Sequence, residues 1–391
     1  MGNRSSMKEK IKESFKGIDL IIVITMTLLI CIGLFCERQA FMLSEEQNSI
    51  FIKHLAGVIL GYVMIAVILL VDYHFICRLS FLLYLFMIAV LGYTLVAGNN
   101  LNNVKRWVMI LGIPFQPSEL TKVVLILFLG FLCNHFKDKL NRFYVLVILA
   151  VVAAIPVGLI LLEPHLSSSL AILFIFGIIV YSSGITYKVI GTALAMILPV
   201  IAVIFISVAV FKVDIPFIEE YQIKRVLSFL STDESDALSG DYQQNQSIAA
   251  IGSGGLHGKT ISLESDQTRT TRAYQNIYAK ESDFVFAIVG EEFGFLGSFV
   301  IILLYALLIF RCILISTRTS EYMGRIICMG VSSYLIFQIF VNIGVATKLL
   351  PNTGLTLPFI SYGLTSLISS MIAVGLVINV GVGRSYKGKR K

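Results

Sequence analysis

Asp283 occupies the position most suggestive of chemistry. It stands in Glu281-Ser-Asp-Phe-Val-Phe-Ala-Ile-Val-Gly-Glu-Glu-Phe-Gly294, where a polar stretch ends and an apolar helix is expected to begin. A carboxylate there can cap the helix, as Ser282 also can, or serve acid–base chemistry. Glu291 and Glu292 follow side by side within apolar sequence; two carboxylates in such a setting are costly unless paired. Gly290 and Gly294 form a G-x-x-x-G spacing that permits close packing of helices.

Two further segments concentrate polar side chains. Asn102-Asn-Val-Lys-Arg-Trp107 precedes Phe115-Gln-Pro-Ser-Glu-Leu-Thr-Lys122, and Trp107 is the only Trp in the chain. Trp and Arg are favoured at the headgroup level of a bilayer, so Arg106 and Trp107 can be an interfacial anchor as readily as a binding site. Pro117 fits a first helical turn, and Glu119 with Lys122 makes an i,i+3 pair, structural or facing a polar cavity. Leu350-Pro-Asn-Thr-Gly-Leu-Thr-Leu-Pro-Phe-Ile-Ser-Tyr-Gly363 carries two Pro, two Gly and several hydroxyls. It cannot be lipid-exposed helix, because its backbone groups would lack partners; it is expected to line a cavity wall or to be a tight turn.

The elements that position these residues follow from composition. Of 391 residues, 57% are apolar and 14% charged, where soluble domains hold about 25% charged residues. There is too little polar sequence to cover a water-soluble fold, which excludes an ordinary soluble enzyme, a disordered chain and a nucleic-acid-binding domain. An all-α, polytopic membrane protein is expected. Ten spans of membrane-crossing length fall near 18–36, 52–71, 79–97, 118–135, 143–162, 166–183, 189–211, 291–317, 325–346 and 359–383. They make one membrane domain, 1–391, with a large extracytoplasmic loop, 212–283, between spans seven and eight. The formal net charge of +7 is then topological. With both termini cytoplasmic, 18 of the 31 Lys and Arg residues fall inside and 7 of the other 13 lie in the long loop, where the positive-inside rule has little force. The basic flanks also suit contact with anionic membrane lipids.

The first span is expected to be an uncleaved anchor, since no small-residue cleavage site follows it. Six cysteines lie in or beside spans without C-x-x-C spacing, which argues against a disulfide framework or a zinc site. The long loop is locally acidic, with 7 basic and 11 acidic residues. Within it, 218–230 is expected to be a helix on the membrane surface, 240–251 a second helix turning back toward the bundle, and 261–280 polar and mobile. His165, in the short Glu163-Pro164-His165 turn, is expected to be exposed.

Arg106-Trp107, Gln116-Pro-Ser-Glu119, Tyr242 with Gln246-Ser247, Ile251-Gly-Ser-Gly-Gly255, Asp283-Phe, Gly290-Glu-Glu292, and Gly354 through Ser361-Tyr-Gly363 occur in order. This ordered set resembles the SEDS family (shape, elongation, division and sporulation), which includes RodA and FtsW, across nearly the whole chain. The resemblance implies a peptidoglycan glycosyltransferase that polymerises lipid II on the outer face of the bacterial cytoplasmic membrane, with a class B penicillin-binding protein, a transpeptidase, as partner. It places the family's essential loop aspartate at Asp283, as general base for the acceptor sugar hydroxyl. Arg106, Lys122, Arg225, Lys259, Arg269 and Arg272 are the candidate cations for the undecaprenyl pyrophosphate leaving group. Arg106, Trp107, Glu119, Lys122, Arg225, Gln246, Ser247 and Lys259 are then the expected substrate-binding set, with Glu291, Glu292, Ser361 and Tyr362 in support. A divalent cation, Mg or Mn, fits a pyrophosphate leaving group; the identity of any metal is not legible in the spacing, and no organic cofactor is expected.

The chain departs from the family pattern in three places. Pro164-His-Leu-Ser167 replaces Pro-Asp-Leu-Gly, Ser361-Tyr-Gly-Leu364 replaces Ser-Tyr-Gly-Gly, and Tyr278-Ala279 replaces a Pro-Glu before the aspartate. The first removes a carboxylate, with Glu163 adjacent. Two other functions compete: a transporter that flips lipid II, and a non-enzymatic scaffold that recruits the transpeptidase. The final span leans slightly toward RodA.

Overall fold

The computed structural model describes residues 17–42, 47–101, 104–110, 113–163, 165–189, 191–192, 195, 242–260 and 272–388. They form α1 (Leu20–Ala40), α2 (Gln47–Leu70), α3 (Tyr73–Ala97), β1 (Asn99–Leu101), β2 (Val104–Ile110), β3 (Ile113–Phe115), α4 (Pro117–His135), α5 (Phe143–Leu162), α6 (Leu166–Ser182), α7 (Tyr242–Ser253), α8 (Val285–Arg318), α9 (Tyr322–Ala346) and α10 (Leu364–Gly388). Eight of these helices are long and apolar enough to cross a membrane, and α6 is a shorter apolar helix of 17 residues. Nine of the ten expected spans therefore have a helix at their place; of 189–211 only residues 189, 191–192 and 195 are described, and the surface helix at 218–230, Arg225 and Arg269 lie outside the described residues.

Helix starts follow local chemistry. Asp19 accepts from the backbone N–H groups of Ile21 and Ile22 at 3.2 and 3.4 Å, capping α1. Asp72 does the same for His74 at the head of α3, at 3.0 Å. Pro117 occupies the first turn of α4, where its missing N–H costs nothing. The helices sort by polarity: α4, α9 and α10 are mostly buried within the protein, whereas α3 and α5 present most of their surface outward. Lipid is as apolar as a Leu side chain, so packing and interhelical hydrogen bonds, not hydrophobic burial, select the interior helices. Their polar content agrees, since Glu119, Lys122, Gln338, Asn342 and Asn379 are all buried.

Two features differ from a bundle of uninterrupted helices. The loop before α4 is a three-stranded antiparallel sheet in the order β1-β2-β3, with Asn99 opposite Trp107 and Val108 opposite Phe115. Helix α8 runs 34 residues but breaks at Gly294 (φ 64°, ψ −163°), so it begins six residues before the expected span and joins two segments at a kink. Segment 255–260 fills that break. Lys259 and Thr260 donate N–H groups to the carbonyls of Glu291 and Glu292 at 3.0 and 3.1 Å, and Phe295 and Leu296 donate to those of Gly255 and Leu256 at 2.9 and 3.1 Å. The backbone groups freed by the kink are thus satisfied by the loop. Only glycine fits this crossing: a Cβ at Gly258 would stand 2.2 Å from the Glu292 carbonyl oxygen, and one at Gly294 2.3 Å from the Gly258 nitrogen.

All six cysteines are free, five of them buried. The start of α1 and the end of α10 lie at one end of the bundle, since Asp19 pairs with Arg311 of α8 and Gly383 adjoins Tyr73. The sheet, α7 and Asp283 gather at the other end, near the starts of α4 and α10 and the ends of α1 and α9.

Candidate active site

Asp283 is held from three sides by main-chain contacts. Helix α8 starts after it, with Phe284 at the cap position. Its N–H donates to the Ala279 carbonyl at 3.0 Å. The Asn342 side chain of α9 donates to both the Asp283 and the Leu355 carbonyls, at 3.0 and 2.7 Å. The Ser361 hydroxyl donates to the Ser282 carbonyl at 2.5 Å while accepting the Leu357 N–H at 2.8 Å, and the Tyr362 N–H donates to the Glu281 carbonyl at 2.8 Å. The half-buried Asp283 carboxylate faces Gly354 (φ 71°): a Cβ there would stand 3.3 Å from Oδ2. The Pro- and Gly-rich turn of the last connection is therefore buried inside protein, as its irregular backbone requires, and it forms one wall beside Asp283.

One turn along α9, about 6 Å at 1.5 Å per residue, Gln338 reaches the side chain of a second acidic residue. Its amide donates to Glu119 Oε2 at 3.2 Å, while Lys122 Nζ holds Oε1 at 2.6 Å and lies 5.5 Å from the Tyr334 ring centroid. Lys122 is fully buried and Glu119 nearly so. The i,i+3 pair exists, and it is a buried ion pair, not an accessible cation.

Arg106, on β2, donates Nε–H to the Glu163 carbonyl at 3.0 Å. The Glu163 side chain is buried, and both its oxygens lack a hydrogen-bond partner among the described residues. Burial pushes its carboxyl up to about 8 against the lowering influence of Arg106. His165 is also buried, correcting the expectation of an exposed turn histidine. It sits between the Gln116 amide, 3.4 Å from Nδ1, and the Ser168 hydroxyl, 3.5 Å from Nε2. Burial, then the charges of Arg106 and Lys122, hold it well below the usual histidine range, so it is neutral. The Ser167 hydroxyl donates to the Thr353 carbonyl beside Gly354. Glu163, His165 and Ser167 thus join the Arg106 strand, the head of the Lys122 helix and the wall beside Asp283.

Glu291 and Glu292 have a different assignment. Both are fully buried. Glu291 pairs with Lys259 and accepts the Ala273 and Tyr274 N–H groups at 2.9 and 3.0 Å. Glu292 faces Arg272 at 3.1 Å and accepts hydroxyls from Tyr274, at 2.7 Å, and Thr260. The two carboxylates hold segments 259–260 and 272–274, and Lys259 and Arg272, expected to meet an anionic substrate, are engaged by them. Ser247 donates to the Ala346 carbonyl at 2.7 Å and fastens α7 to the end of α9. Gln244, which no sequence motif marks, donates to the Val345 and Leu350 carbonyls at 2.9 and 2.8 Å. Gln246 and Trp107 are half-buried. Tyr362 packs edge-on against His54 and Phe41, with centroids 5.6 and 5.9 Å away. No group of three or more His, Cys, Asp or Glu side chains suited to a metal occurs among the described residues.

Three comparisons bear on this arrangement. Residues 18–386 match the FtsW/RodA/SpoVE family, described as cell cycle protein. The chain is 28% identical over 380 residues to a probable peptidoglycan glycosyltransferase FtsW of Geobacter sp. (strain M18), covering 93% of this chain and 97% of that one. It is 31% identical over 372 residues to stage V sporulation protein E of Bacillus subtilis (strain 168), covering 93% and 96%. To the peptidoglycan glycosyltransferase MrdB of Escherichia coli (strain K12) it is 30% identical over 287 residues, 73% of each. Among solved structures, it overlays a chain of a peptidoglycan synthase complex, described as coordinating polymerization and crosslinking, with TM-score 0.75 and 25% identity over 94% of this chain and 98% of that one. The fold of Thermus thermophilus rod shape determining protein RodA also matches, with TM-score 0.65 and 24% identity over 94% and 97%. The chain belongs to the FtsW/RodA/SpoVE family of cell cycle proteins.

Proposed function

We propose that this chain is a peptidoglycan glycosyltransferase that polymerises lipid II, with Asp283 as its general base. One observation carries the assignment of the base: the Asp283 carboxylate is set against Gly354 at the polar end of the bundle, its backbone fixed by Asn342, one helical turn from the Glu119–Lys122 pair held by Gln338. The names of relatives that cover nearly the whole chain support the reaction class.

In the reaction, the acceptor sugar hydroxyl attacks the anomeric carbon of the donor. The new glycosidic C–O bond forms as the bond to undecaprenyl pyrophosphate breaks, and the hydroxyl proton passes to Asp283. The pyrophosphate departs as an anion and needs no proton if cations stabilise it. Arg106 is the best-placed described cation, half-buried on β2; Trp107 and Gln246 supply flanking contacts to the substrate. Lys122 acts by fixing Glu119, and Ser247, Glu291, Glu292, Ser361 and Tyr362 hold the frame. Arg225 remains a candidate for the leaving group. A divalent cation would be held here by Asp283 and substrate phosphates, since Mg²⁺ is commonly held by one or two carboxylates plus substrate phosphates, and it would supply charge neutralisation for the leaving group; the proton transfer to Asp283 does not depend on it.

The polar end faces outward in the cytoplasmic membrane, with the start of α1 and the end of α10 on the cytoplasmic side; the distribution of Lys and Arg supports this orientation. The lipid tails lie among outward-facing helices, and a class B penicillin-binding protein is the transpeptidase partner. The test is polymerisation of labelled lipid II by the purified chain, with and without that partner. Asp283→Ala abolishes glycan formation; polymerisation equal to the unaltered chain refutes the assignment. Movement of lipid II between leaflets without glycan would identify a transporter instead, and a dispensable Asp283 with intact partner recruitment would identify a scaffold.

A further inference from the structure

Glu37, in the last turn of α1, and His54, in α2, form a hydrogen-bonded pair that the proposed reaction does not use. Glu37 Oε2 meets His54 Nδ1, both side chains are almost fully buried, and the remaining atoms, Glu37 Oε1 and His54 Nε2, have no hydrogen-bond partner among the described residues. Stability alone does not explain such a pair, because replacing both partners of a buried hydrogen bond by apolar groups of the same shape can be nearly neutral or stabilising.

Its neighbours are informative. The His54 ring stands nearly perpendicular to that of Tyr362, with centroids 5.6 Å apart, and Phe41, four residues after Glu37, braces Tyr362 from a second direction at 5.9 Å. Tyr362 and Ser361 are the two residues that bind the Glu281 and Ser282 carbonyls immediately before Asp283. The support is stiff. A Cβ at Gly33, one turn before Glu37, would stand 2.5 Å from the Phe359 carbonyl oxygen, and one at Gly57, three residues after His54, 2.5 Å from Leu364 Cδ2. Helices α1 and α2 are therefore packed directly on the turn that carries Tyr362, with no slack to absorb a shift of either.

We propose that Glu37 and His54 are positioning residues for Asp283: Glu37 fixes the orientation of the His54 ring, the ring braces Tyr362, and Tyr362 with Ser361 sets the Glu281–Asp283 backbone. This rests on the assignment of Asp283 as the base. An edge-to-face aromatic contact has a directional preference that two aliphatic side chains lack, and a small displacement of a catalytic group is felt strongly in turnover.

The experiment uses the full chain with labelled lipid II, measuring kcat, KM and thermal unfolding. The apolar double variant Glu37→Leu/His54→Leu removes both polar partners together and keeps the helices packed. It is expected to unfold at the temperature of the unaltered chain, keep its KM, and lose about tenfold in kcat. Glu37→Leu/His54→Phe restores a ring edge against Tyr362 and is expected to recover part of that loss. Unaltered kcat in the Leu/Leu variant, or an equal deficit in the Leu/Phe variant, overturns the proposal. If the double variants fail to accumulate, Tyr362→Leu carries the test: the same selective loss of kcat supports the proposal and an unaltered kcat overturns it. Asp283→Asn, run in parallel, separates the two levels. Activity there refutes Asp283 as the base, whereas an inactive Asp283→Asn beside an unaffected Leu/Leu variant refutes the positioning role alone.

Discussion

Asp283 and the Glu291–Glu292 pair lie within ten residues of one another, yet the protein treats them in opposite ways. Glu291 and Glu292 are fully buried, and their oxygens are occupied by Lys259, Arg272, Thr260, Tyr274 and two backbone N–H groups. Asp283 is half-buried and faces a glycine, and the bonds described above secure its backbone and that of its neighbours. Burying a carboxylate completely under donors makes it a fastener, whereas fixing the main chain of a half-buried one beside a glycine makes it a candidate base. Residue type is the same in both regions; the difference lies in what surrounds the carboxylate.

The contrast makes predictions that can break it. The largest effect on activity belongs to Asp283→Asn, which keeps the shape and removes the base. Turnover is expected to fall about 10²–10⁴-fold, the range for a general base, with thermal stability unaltered. Lys122→Ala strands Glu119 in the interior and is expected to cost about 3–5 kcal/mol of stability, as for a broken buried pair. Glu119→Gln/Lys122→Met should restore the melting temperature, and recovery of activity with it would reduce the pair to scaffolding. Glu292→Ala leaves Arg272 buried without its partner and should cost about the same, loosening segments 259–260 and 272–274 as read by hydrogen exchange. If activity falls there while exchange does not change, the fastener role is wrong.

A smaller effect is pH-dependent. The Glu163 carboxyl is raised from 4.5 to about 8 by burial, so the folded chain retains a proton that the unfolded chain releases. Its contribution to stability is complete below about 4.5 and is lost as pH rises through about 8. Melting temperature should decline across that window, and Glu163→Gln should flatten the decline. His257 is exposed, and His257→Ala is expected to change neither turnover nor its pH profile.

Much of the fold was legible because apolar runs of bilayer length announce helices, and nine of the ten expected spans have a helix at their place. The sheet was missed although Val104-Lys-Arg-Trp-Val-Met-Ile110, bracketed by Asn102-Asn103 and Leu111-Gly112, has strand composition between turn residues. The kink at Gly294 was read as a packing motif because a G-x-x-x-G spacing carries no information on φ. The Glu119–Lys122 pair followed from i,i+3 spacing. By contrast, the partners of Glu291 and Glu292 come from the distant loop, and no local rule would have diverted Lys259 and Arg272 from substrate. His165 is buried, against the usual exposure of a turn residue in a soluble protein, because it sits between Gln116 at the head of α4 and Ser168 of α6. Gln244, Gln338 and Asn342 escaped notice because a polar side chain on an apolar helix does not reveal which backbone it will reach.

The most direct test of the central claim is a single-turnover measurement with Asp283→Asn saturated with labelled lipid II. Lipid II should bind as it does to the unaltered chain, and no glycosidic bond should form. Glycan formation at the rate of the unaltered chain would show that Asp283 is not the base.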